Sequence, residues 1–176
     1  MLIRSWLISG KSMVRVKVFL DTNVLLDVLE GDRPSTAYSN LVFQAVRERL
    51  LEGVLTTQSI IDASYIAAKR KDSDFNAFCR HILQLMHFMN IESLEAIDLR
   101  EAFLHPTGDF EDDVQYSRAI ESACDLFITS DRSFKRRSPD DSGMQVFTPE
   151  ELVRKMTAIA PSSSSPAAFL TPQRGQ

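Results

Sequence analysis

The fold is decided by the stretch Val18-Phe19-Leu20-Asp21-Thr22-Asn23-Val24-Leu25-Leu26-Asp27, in which a short apolar run ends on an acid. Residues 14–18 alternate between valine and basic side chains, and this period of two predicts a β-strand that enters a core. Asp21 follows at the end of that strand. Because ligands of open α/β sheets bind outside the carboxyl ends of the strands, Asp21 is a candidate site residue.

Three further acids occupy comparable positions elsewhere in the chain. Asp131 directly follows residues 126–130, whose apolar start predicts another buried strand. Asp62 falls in the first turn of a helix predicted from Ser59, where the helix dipole favours a carboxylate. Asp112 lies near the start of a helix predicted over residues 110–123. These positions predict that the four acids meet at one edge of a sheet.

Helix and strand patterns alternate along the chain without an internal repeat. The last helix has the clearest signals, because Thr148 is a predicted N-cap, Pro149 stands at the first helical position and Glu151 completes a capping box. The other predicted helices cover residues 23–29, 35–53, 73–88 and 98–104, and the other predicted strands cover 54–57, part of 90–97, and 144–147, the last preceded by a polar loop through Gly143. This order predicts a three-layer α/β/α fold with a central, mainly parallel sheet.

For two of the predicted helices, the sequence also predicts the role of particular residues. Gly53 is taken as the end of the helix over residues 35–53. The apolar residues of 73–88 have helical spacing and are expected to pack in the core, together with Met89. The set is Phe75, Phe78, Ile82, Leu85, Met86 and Met89.

Length and composition predict one compact domain. The chain has 176 residues, of which 44% are hydrophobic, enough for a single core. We expect the domain to cover residues 14–158, with an unstructured leader over 1–13 and a disordered, serine-rich tail over 159–176. Met13 is an alternative start. No apolar run approaches the roughly 20 residues that span a bilayer, which predicts a soluble protein.

The cysteines and histidines predict neither a zinc site nor a disulfide framework. Cys79 and Cys124 have no closely spaced partner and are expected to be packing residues of a protein in a reducing compartment, the cytoplasm.

The net charge of −4 argues against a protein that coats nucleic acid by counterion release. It does not exclude a nuclease, because metal ions held by acids reverse the local field and attract phosphate. Two basic clusters are either solvated helix ends and loops or contacts to the phosphate backbone. They are Lys69, Arg70 and Lys71, and Lys135, Arg136 and Arg137.

Four segments, in this order, resemble the signature segments of the PIN-domain nucleases, in particular the bacterial branch that includes the toxins of toxin–antitoxin pairs. They are Phe19-Leu20-Asp21-Thr22-Asn23-Val24-Leu25-Leu26-Asp27, Ser59-Ile60-Ile61-Asp62-Ala63-Ser64-Tyr65-Ile66, Gly108-Asp109-Phe110-Glu111-Asp112-Asp113-Val114-Gln115-Tyr116 and Phe127-Ile128-Thr129-Ser130-Asp131-Arg132-Ser133-Phe134.

The resemblance implies a metal-dependent endoribonuclease with catalytic acids at Asp21, Asp62, Asp112 and Asp131. Of these, Asp21, Asp112 and Asp131 would bind metal. The second position is commonly Glu in the family, so the shorter Asp62 is expected to act through water. Asn23 and Ser130 would support the acids or face substrate, and Asp113 competes with Asp112 for the third role. We prefer Asp112, because a small residue usually follows this acid in the family.

The implied cofactor is one or two Mg²⁺ or Mn²⁺ ions, which prefer oxygen ligands and can activate water and stabilise a leaving alkoxide. The implied partners are RNA as substrate, a cognate antitoxin and a second copy of the chain in a homodimer. Four carboxylates without metal would repel each other, so metal is expected to raise the melting temperature.

Other interpretations remain open at this point. Taken singly, each acid could cap a helix or occupy a turn. For the neighbouring acids Asp27, Asp109, Glu111 and Asp113 we expect positions at the surface, as helix caps or in support of the site residues. A non-catalytic PIN-like module that binds RNA or protein is the main alternative. A phosphatase of the haloacid-dehalogenase type also begins on a strand-end acid, but it requires a second Asp where this chain has Asn23.

Overall fold

The structure, a computed structural model, describes residues 15–70, 74–137 and 143–159, with the backbone alone for 135–137 and for 159. Strands and helices alternate along these residues. Their order is β1 (Val16–Leu20), α1 (Thr22–Glu30), α2 (Thr36–Arg47), β2 (Leu51–Thr56), α3 (Thr57–Lys69), α4 (Phe75–Leu85), β3 (Asn90–Glu92), α5 (Ala96–Leu104), α6 (Phe110–Glu121), β4 (Leu126–Ile128), α7 (Arg132–Arg137), β5 (Gln145–Phe147) and α8 (Pro149–Ile159).

The five strands form one sheet in the order β3-β2-β1-β4-β5, and every neighbouring pair is parallel. The first strand is therefore the central one. Val18 of β1 is aligned with Leu126 of β4, although the two residues are far apart in the sequence. Since all strands point the same way, the residues that follow them gather at one edge of the sheet.

Alternate residues of β1 face two separate layers of helices. Val18 and Leu20 belong to the larger apolar cluster, which includes side chains of α1, α2 and α8. Phe19 belongs to the second cluster and stacks on Phe127 of β4 with 5.3 Å between ring centroids. That cluster also contains Tyr116 of α6. The predicted three-layer fold with a parallel sheet is confirmed.

The predicted helix over residues 35–53 is wrong in its second half. Helix α2 ends at Arg47, Arg49 makes the turn with a φ of 61°, and Gly53 lies inside β2. A Cβ atom on Gly53 would lie 2.8 Å from Cγ1 of Val46, so the missing side chain lets α2 approach the sheet. Gly53 is a packing residue and not a helix end.

Helix α4 and the loop after β4 also differ from the predictions. Phe75 and Met86 of the expected core stripe are exposed, because no described element covers that side of α4, while Ile82 and Met89 are buried as predicted. The polar loop predicted to run through Gly143 contains α7.

The capping box of α8 is confirmed. The Glu151 carboxylate accepts from Thr148 N at 2.8 Å, and Glu151 N donates to Thr148 Oγ1 at 3.2 Å. The leader over residues 1–13 and all of the tail beyond Ile159 lie outside the described residues. Within those residues, no helix is both long and apolar enough to cross a membrane.

Candidate active site

Asp21 lies where β1 ends, and the surrounding residues hold its carboxylate in one orientation. Asp21 occupies the N-cap position of α1, but its side chain makes no capping hydrogen bond. Instead, Oδ2 accepts from Thr129 Oγ1 at 2.7 Å and from Asn23 Nδ2 at 3.4 Å. Burial raises the pKa of the Asp21 carboxyl, and the hydrogen bond from Thr129 opposes this in part.

Helix α6 carries four acids at its N-terminus, the N-cap Asp109 and, in the first turn, Glu111, Asp112 and Asp113. Asp109 caps the helix, because its side chain accepts from Glu111 N at 3.2 Å and from Asp112 N at 3.5 Å. Burial raises the pKa of the Glu111 carboxyl, and the charges of Asp62, Asp21 and Asp109 raise it further. The acids of three separate segments, at Asp21, at Asp62 and at the start of α6, therefore share one electrostatic environment.

Asp131 lies where β4 leads into α7. Its carboxylate accepts from Ser133 N and from Ser133 Oγ, both at 2.7 Å, which fixes its orientation. Its own N–H donates to Thr129 Oγ1 at 2.9 Å. Thr129 therefore connects Asp131 to Asp21.

A cleft of about 270 Å³ opens between these segments. Its described lining consists of Asn23, Arg33, Asp109, Glu111, Asp112, Ser130 and Asp131. Two of the four predicted acids, Asp112 and Asp131, thus line the same cleft. Asp21 and Asp62 do not line it, but both act electrostatically on Glu111, which does.

Asp62 lies on α3, in its second turn, and accepts from Gln58 Nε2 at 2.9 Å. The sequence placed this residue in the first turn, because the helix was expected to begin at Ser59 and in fact begins at Thr57.

Asp113 has a different environment from Asp112. Its carboxylate accepts from Thr107 N at 2.9 Å and from the hydroxyl of the same residue, so it fastens the loop before α6. Asp113 is buried and does not line the cleft. The structure therefore places Asp112, and not Asp113, beside Asp131.

Two buried polar residues lie near the cleft, and the first of them carries no prediction from the sequence. Gln115 is 1% exposed, and its Nε2 donates to Thr22 Oγ1 at 3.0 Å and to Glu111 Oε1 at 3.2 Å. Its position four residues after Glu111 was a possible signal. Asp27, for which a surface position, a helix cap or a supporting role was expected, is also 1% exposed and accepts from Ser39 Oγ at 2.8 Å and Ser130 Oγ at 2.6 Å.

Arg33 was missed as well, since nothing in the sequence around it marks a site. Its guanidinium lies 3.1 Å from Asp27 Oδ1 and 3.6 Å from Glu30 Oε2, and Nη2 donates to Asn23 Oδ1 at 3.0 Å.

The first predicted basic cluster does not face the cleft. Arg70 pairs with Glu30 at 3.2 Å and with Asp32 at 3.8 Å, and the Lys69 ammonium lies 3.8 Å from the ring centroid of Tyr65. Lys71 lies outside the described residues. The side chains of Lys135, Arg136 and Arg137 also lie outside the described part of the chain.

The donor set fits a hard divalent cation. Among the described residues, no three His, Cys, Asp or Glu side chains are arranged as a complete metal site. Mg²⁺ is typically held by only one or two carboxylates and otherwise by water and substrate phosphates. Asp112 and Asp131, which line one cleft in a field of further acids, match that requirement in number and in oxygen chemistry.

The fold and cleft define a parallel α/β protein whose site is built from carboxylates at the carboxyl edge of the sheet. Residues 17–133 match a family model described as a PIN domain, and the chain belongs to the PIN-domain family. It is similar to Ribonuclease VapC1 of Aquifex aeolicus, at 31% identity over 150 residues that cover 81% of this chain and 97% of the relative. The resemblance seen in the sequence is thereby confirmed.

Solved structures of low sequence identity share the fold. VapBC2 from Rickettsia felis, bound to a DNA fragment from its promoter, aligns with a TM-score of 0.57 at 13% identity, covering 76% of this chain and 98% of that one. PAE2754 from Pyrobaculum aerophilum aligns with a TM-score of 0.57 at 17% identity, covering 84% and 99%. The Mycobacterium tuberculosis toxin VapC20, which cleaves the sarcin-ricin loop, aligns with a TM-score of 0.54 at 11% identity, covering 68% and 93%.

Proposed function

We propose that this protein is a cytoplasmic endoribonuclease that hydrolyses RNA phosphodiester bonds with Mg²⁺ or Mn²⁺ and acts as the toxin of a toxin–antitoxin pair. The similarity to Ribonuclease VapC1 over nearly its full length carries the proposal. The structure supports it with a cleft lined by Asp112 and Asp131 at the edge of the sheet where ligands of α/β proteins bind.

Asp112, Asp131 and Asp21 are the proposed metal ligands, and Asp62 supports them. Bound Mg²⁺ or Mn²⁺ would supply an activated water and charge stabilisation for the leaving oxygen. Ser133 orients the Asp131 carboxylate, and Thr129 and Asn23 orient that of Asp21. Gln115 holds Glu111 at the cleft wall. Since these supporting groups are already in place, little reorganisation is needed when substrate arrives.

An antitoxin partner is part of the proposal. Structures that share the fold include VapBC2 and the complex FitAB bound to a DNA fragment, the latter with a TM-score of 0.54 at 15% identity, covering 75% of this chain and 94% of that one. We propose that the antitoxin covers the acidic cleft with an Arg-bearing segment. A co-purified partner that leaves RNA cleavage and metal binding unchanged would contradict this. A homodimer remains a proposal, tested by the molar mass in solution.

The decisive experiment is cleavage of end-labelled RNA, single-stranded and structured, with Mg²⁺, Mn²⁺ or EDTA. Wild-type protein is compared with Asp21→Asn and with Asp32→Asn, a control in which the acid lies off the cleft and is exposed. We expect metal-dependent cleavage by the wild type and by Asp32→Asn, and its loss in Asp21→Asn. Folded wild-type protein that binds RNA in every metal without cutting it would favour the non-catalytic binding module instead.

A further inference from the structure

Arg33 is a cation built into the wall of an acidic cleft. It lies between α1 and α2, and its side chain is 27% exposed. Three acceptors of α1 hold the guanidinium: Asn23 Oδ1 at 3.0 Å, Asp27 Oδ1 at 3.1 Å and Glu30 Oε2 at 3.6 Å. The side chain is thus fixed in direction while still open to the cleft.

Arg33 is important because the other charged side chains in the described lining of the cleft are negative. The lining includes four carboxylates, on Asp109, Glu111, Asp112 and Asp131. Within the described part of the chain, Arg33 is the one cationic side chain that lines it. A phosphodiester that enters such a cleft is repelled unless positive charge meets it, and a fixed guanidinium supplies that charge independently of metal.

The hydrogen-bonding capacity of Arg33 exceeds its use among the described residues. A guanidinium carries five N–H donors in a planar fork, and only three acceptors surround this one. The fork matches two oxygens of a phosphate group. Asp27 also anchors Ser130, another lining residue, so one buried carboxylate sets the position of two groups on the same wall.

We propose that Arg33 is a substrate-binding residue that contacts the non-bridging oxygens of an RNA phosphate in the cleft. The inference rests on the proposed function, because it takes RNA as the occupant. It assigns the phosphate contact to the α1–α2 loop, and not to the basic cluster at the end of α3 that the sequence suggested.

The test is RNA binding as a function of salt, measured by fluorescence anisotropy on the full chain. The protein carries Asp112→Asn, so that cleavage does not interfere, and the probe is a labelled single-stranded RNA in Mg²⁺. Arg33→Gln and Arg33→Lys are compared with Arg154→Gln. Arg154 is the matched control, because it is an exposed arginine paired with Glu150 at 2.7 Å and does not line the cleft.

We expect Arg33→Gln to weaken binding about tenfold and to reduce the slope of log K against log salt by about 0.7, the value of one phosphate contact on a single strand. Arg154→Gln is expected to keep the parent slope. A purely structural role for Arg33 would lower the melting temperature without changing the slope, so a folded Arg33→Gln protein with the parent slope overturns the proposal.

If Arg33→Gln does not fold, Arg33→Lys decides the question. Lysine keeps the charge beside Asp27 but loses the planar fork, so we expect the parent slope with an affinity reduced at least about threefold. Parent affinity in this variant overturns the proposal. Wild-type protein that binds RNA with an Arg33-dependent slope but never cleaves it would refute the nuclease function and leave the phosphate contact standing.

Discussion

The hydrogen bonds between Asp113 and Thr107 separate two adjacent acids into different roles. Asp113 accepts from both the N–H and the hydroxyl of Thr107, whereas Asp112, one residue earlier, lines the cleft with Asp131. Helix geometry explains the difference, because consecutive residues of a helix point about 100° apart.

Asp112→Asn should therefore reduce RNA cleavage at least about 100-fold while the protein stays folded, since even residues that only support a metal ligand contribute 10–100-fold. Asp113→Asn should keep cleavage within about threefold of the wild type and lower stability by about 1–2 kcal/mol, the value of a weakened hydrogen bond to a charged group. Initial cleavage rates and thermal melting measure the two effects. Reversed results for the two variants would assign the third acid to Asp113.

Gln115→Leu should destabilise the protein by about 2–3 kcal/mol. The change leaves the buried hydroxyls of Thr22 and Ser59 without the Gln115 amide, whose Oε1 lies 3.5 Å from Ser59 Oγ. Urea denaturation measures the free energy of unfolding. The control is Gln44→Leu, in which a partly exposed glutamine loses a solvent-exposed bond to Glu48, and it should stay within about 0.5 kcal/mol of the wild type. Equal effects of the two changes would show that the Gln115 bonds contribute nothing.

Metal-free protein should become more stable when Asp21 is neutralised. The pKa of the Asp21 carboxyl in the folded protein is raised above its ordinary value of 3.8. Ionisation of Asp21 therefore costs no stability below pH 3.8. The folded state loses stability as the pH rises from 3.8 through the folded pKa. At pH 7 in EDTA, Asp21→Asn should melt above the wild type, by about 2–4 °C for each kcal/mol relieved. The difference should shrink towards pH 4. An Asp21→Asn protein that melts lower at pH 7 would contradict the argument.

Divalent metal should stabilise both of these proteins, and the wild type more than Asp21→Asn. If only the folded state binds Mg²⁺, a concentration of about 100 times the dissociation constant raises the free energy of unfolding by about 2.7 kcal/mol. We expect this rise in melting temperature for the wild type and a smaller one for Asp21→Asn. Calorimetric scans with and without Mg²⁺ measure both, and equal rises would remove Asp21 from the metal ligands.

Cys79 should react with iodoacetamide before Cys124 in the native protein. Cys124 is 8% exposed, and burial raises its pKa to about 12, so at pH 8 only about one molecule in 10⁴ carries the thiolate. Cys79 is partly exposed. Mass spectrometry of peptides from timed reactions identifies the modified residue. In urea, where the protein is unfolded, both cysteines should react. If Cys124 is labelled before Cys79 in the native protein, the residues that bury Cys124 must move apart in solution, which would contradict the prediction.

The sequence was sufficient for the layers of the fold but not for all of its contacts. Local signals such as the Thr148–Glu151 capping box depend on neighbours in the chain, and the structure has them as predicted. Gly53 could not be interpreted in that way, because its role depends on Val46 approaching from another element. Helical periodicity likewise placed Phe75 on one face of α4, but periodicity does not show whether another element covers that face.

In the site, too, local sequence signals predict some residues and not others. Asp112 and Asp131 could be found from the sequence because a strand end or a helix start marks each of them. Arg33 and Gln115 carry no such mark. The acceptors of Arg33 all lie on α1, but the local pattern does not show that the α1–α2 loop borders the cleft, and Gln115 reaches Thr22 across 93 residues. The preference for Asp112 over Asp113 stays a prediction, to which the structure adds that the Asp113 carboxylate accepts from Thr107 while Asp112 lines the cleft.

The central position of β1 has a consequence for synthesis of the chain on the ribosome. The strand that carries Asp21 is made first, but its neighbour β4 and the hydroxyl of Thr129 that orients its carboxylate come 108 residues later. Ser130 reaches Asp27 across a similar interval of 103 residues. A nascent chain that has not yet released β4 from the exit tunnel has no complete cleft. The site can therefore be assembled only after Asp131 has emerged, so that a shorter nascent chain lacks part of the cleft lining.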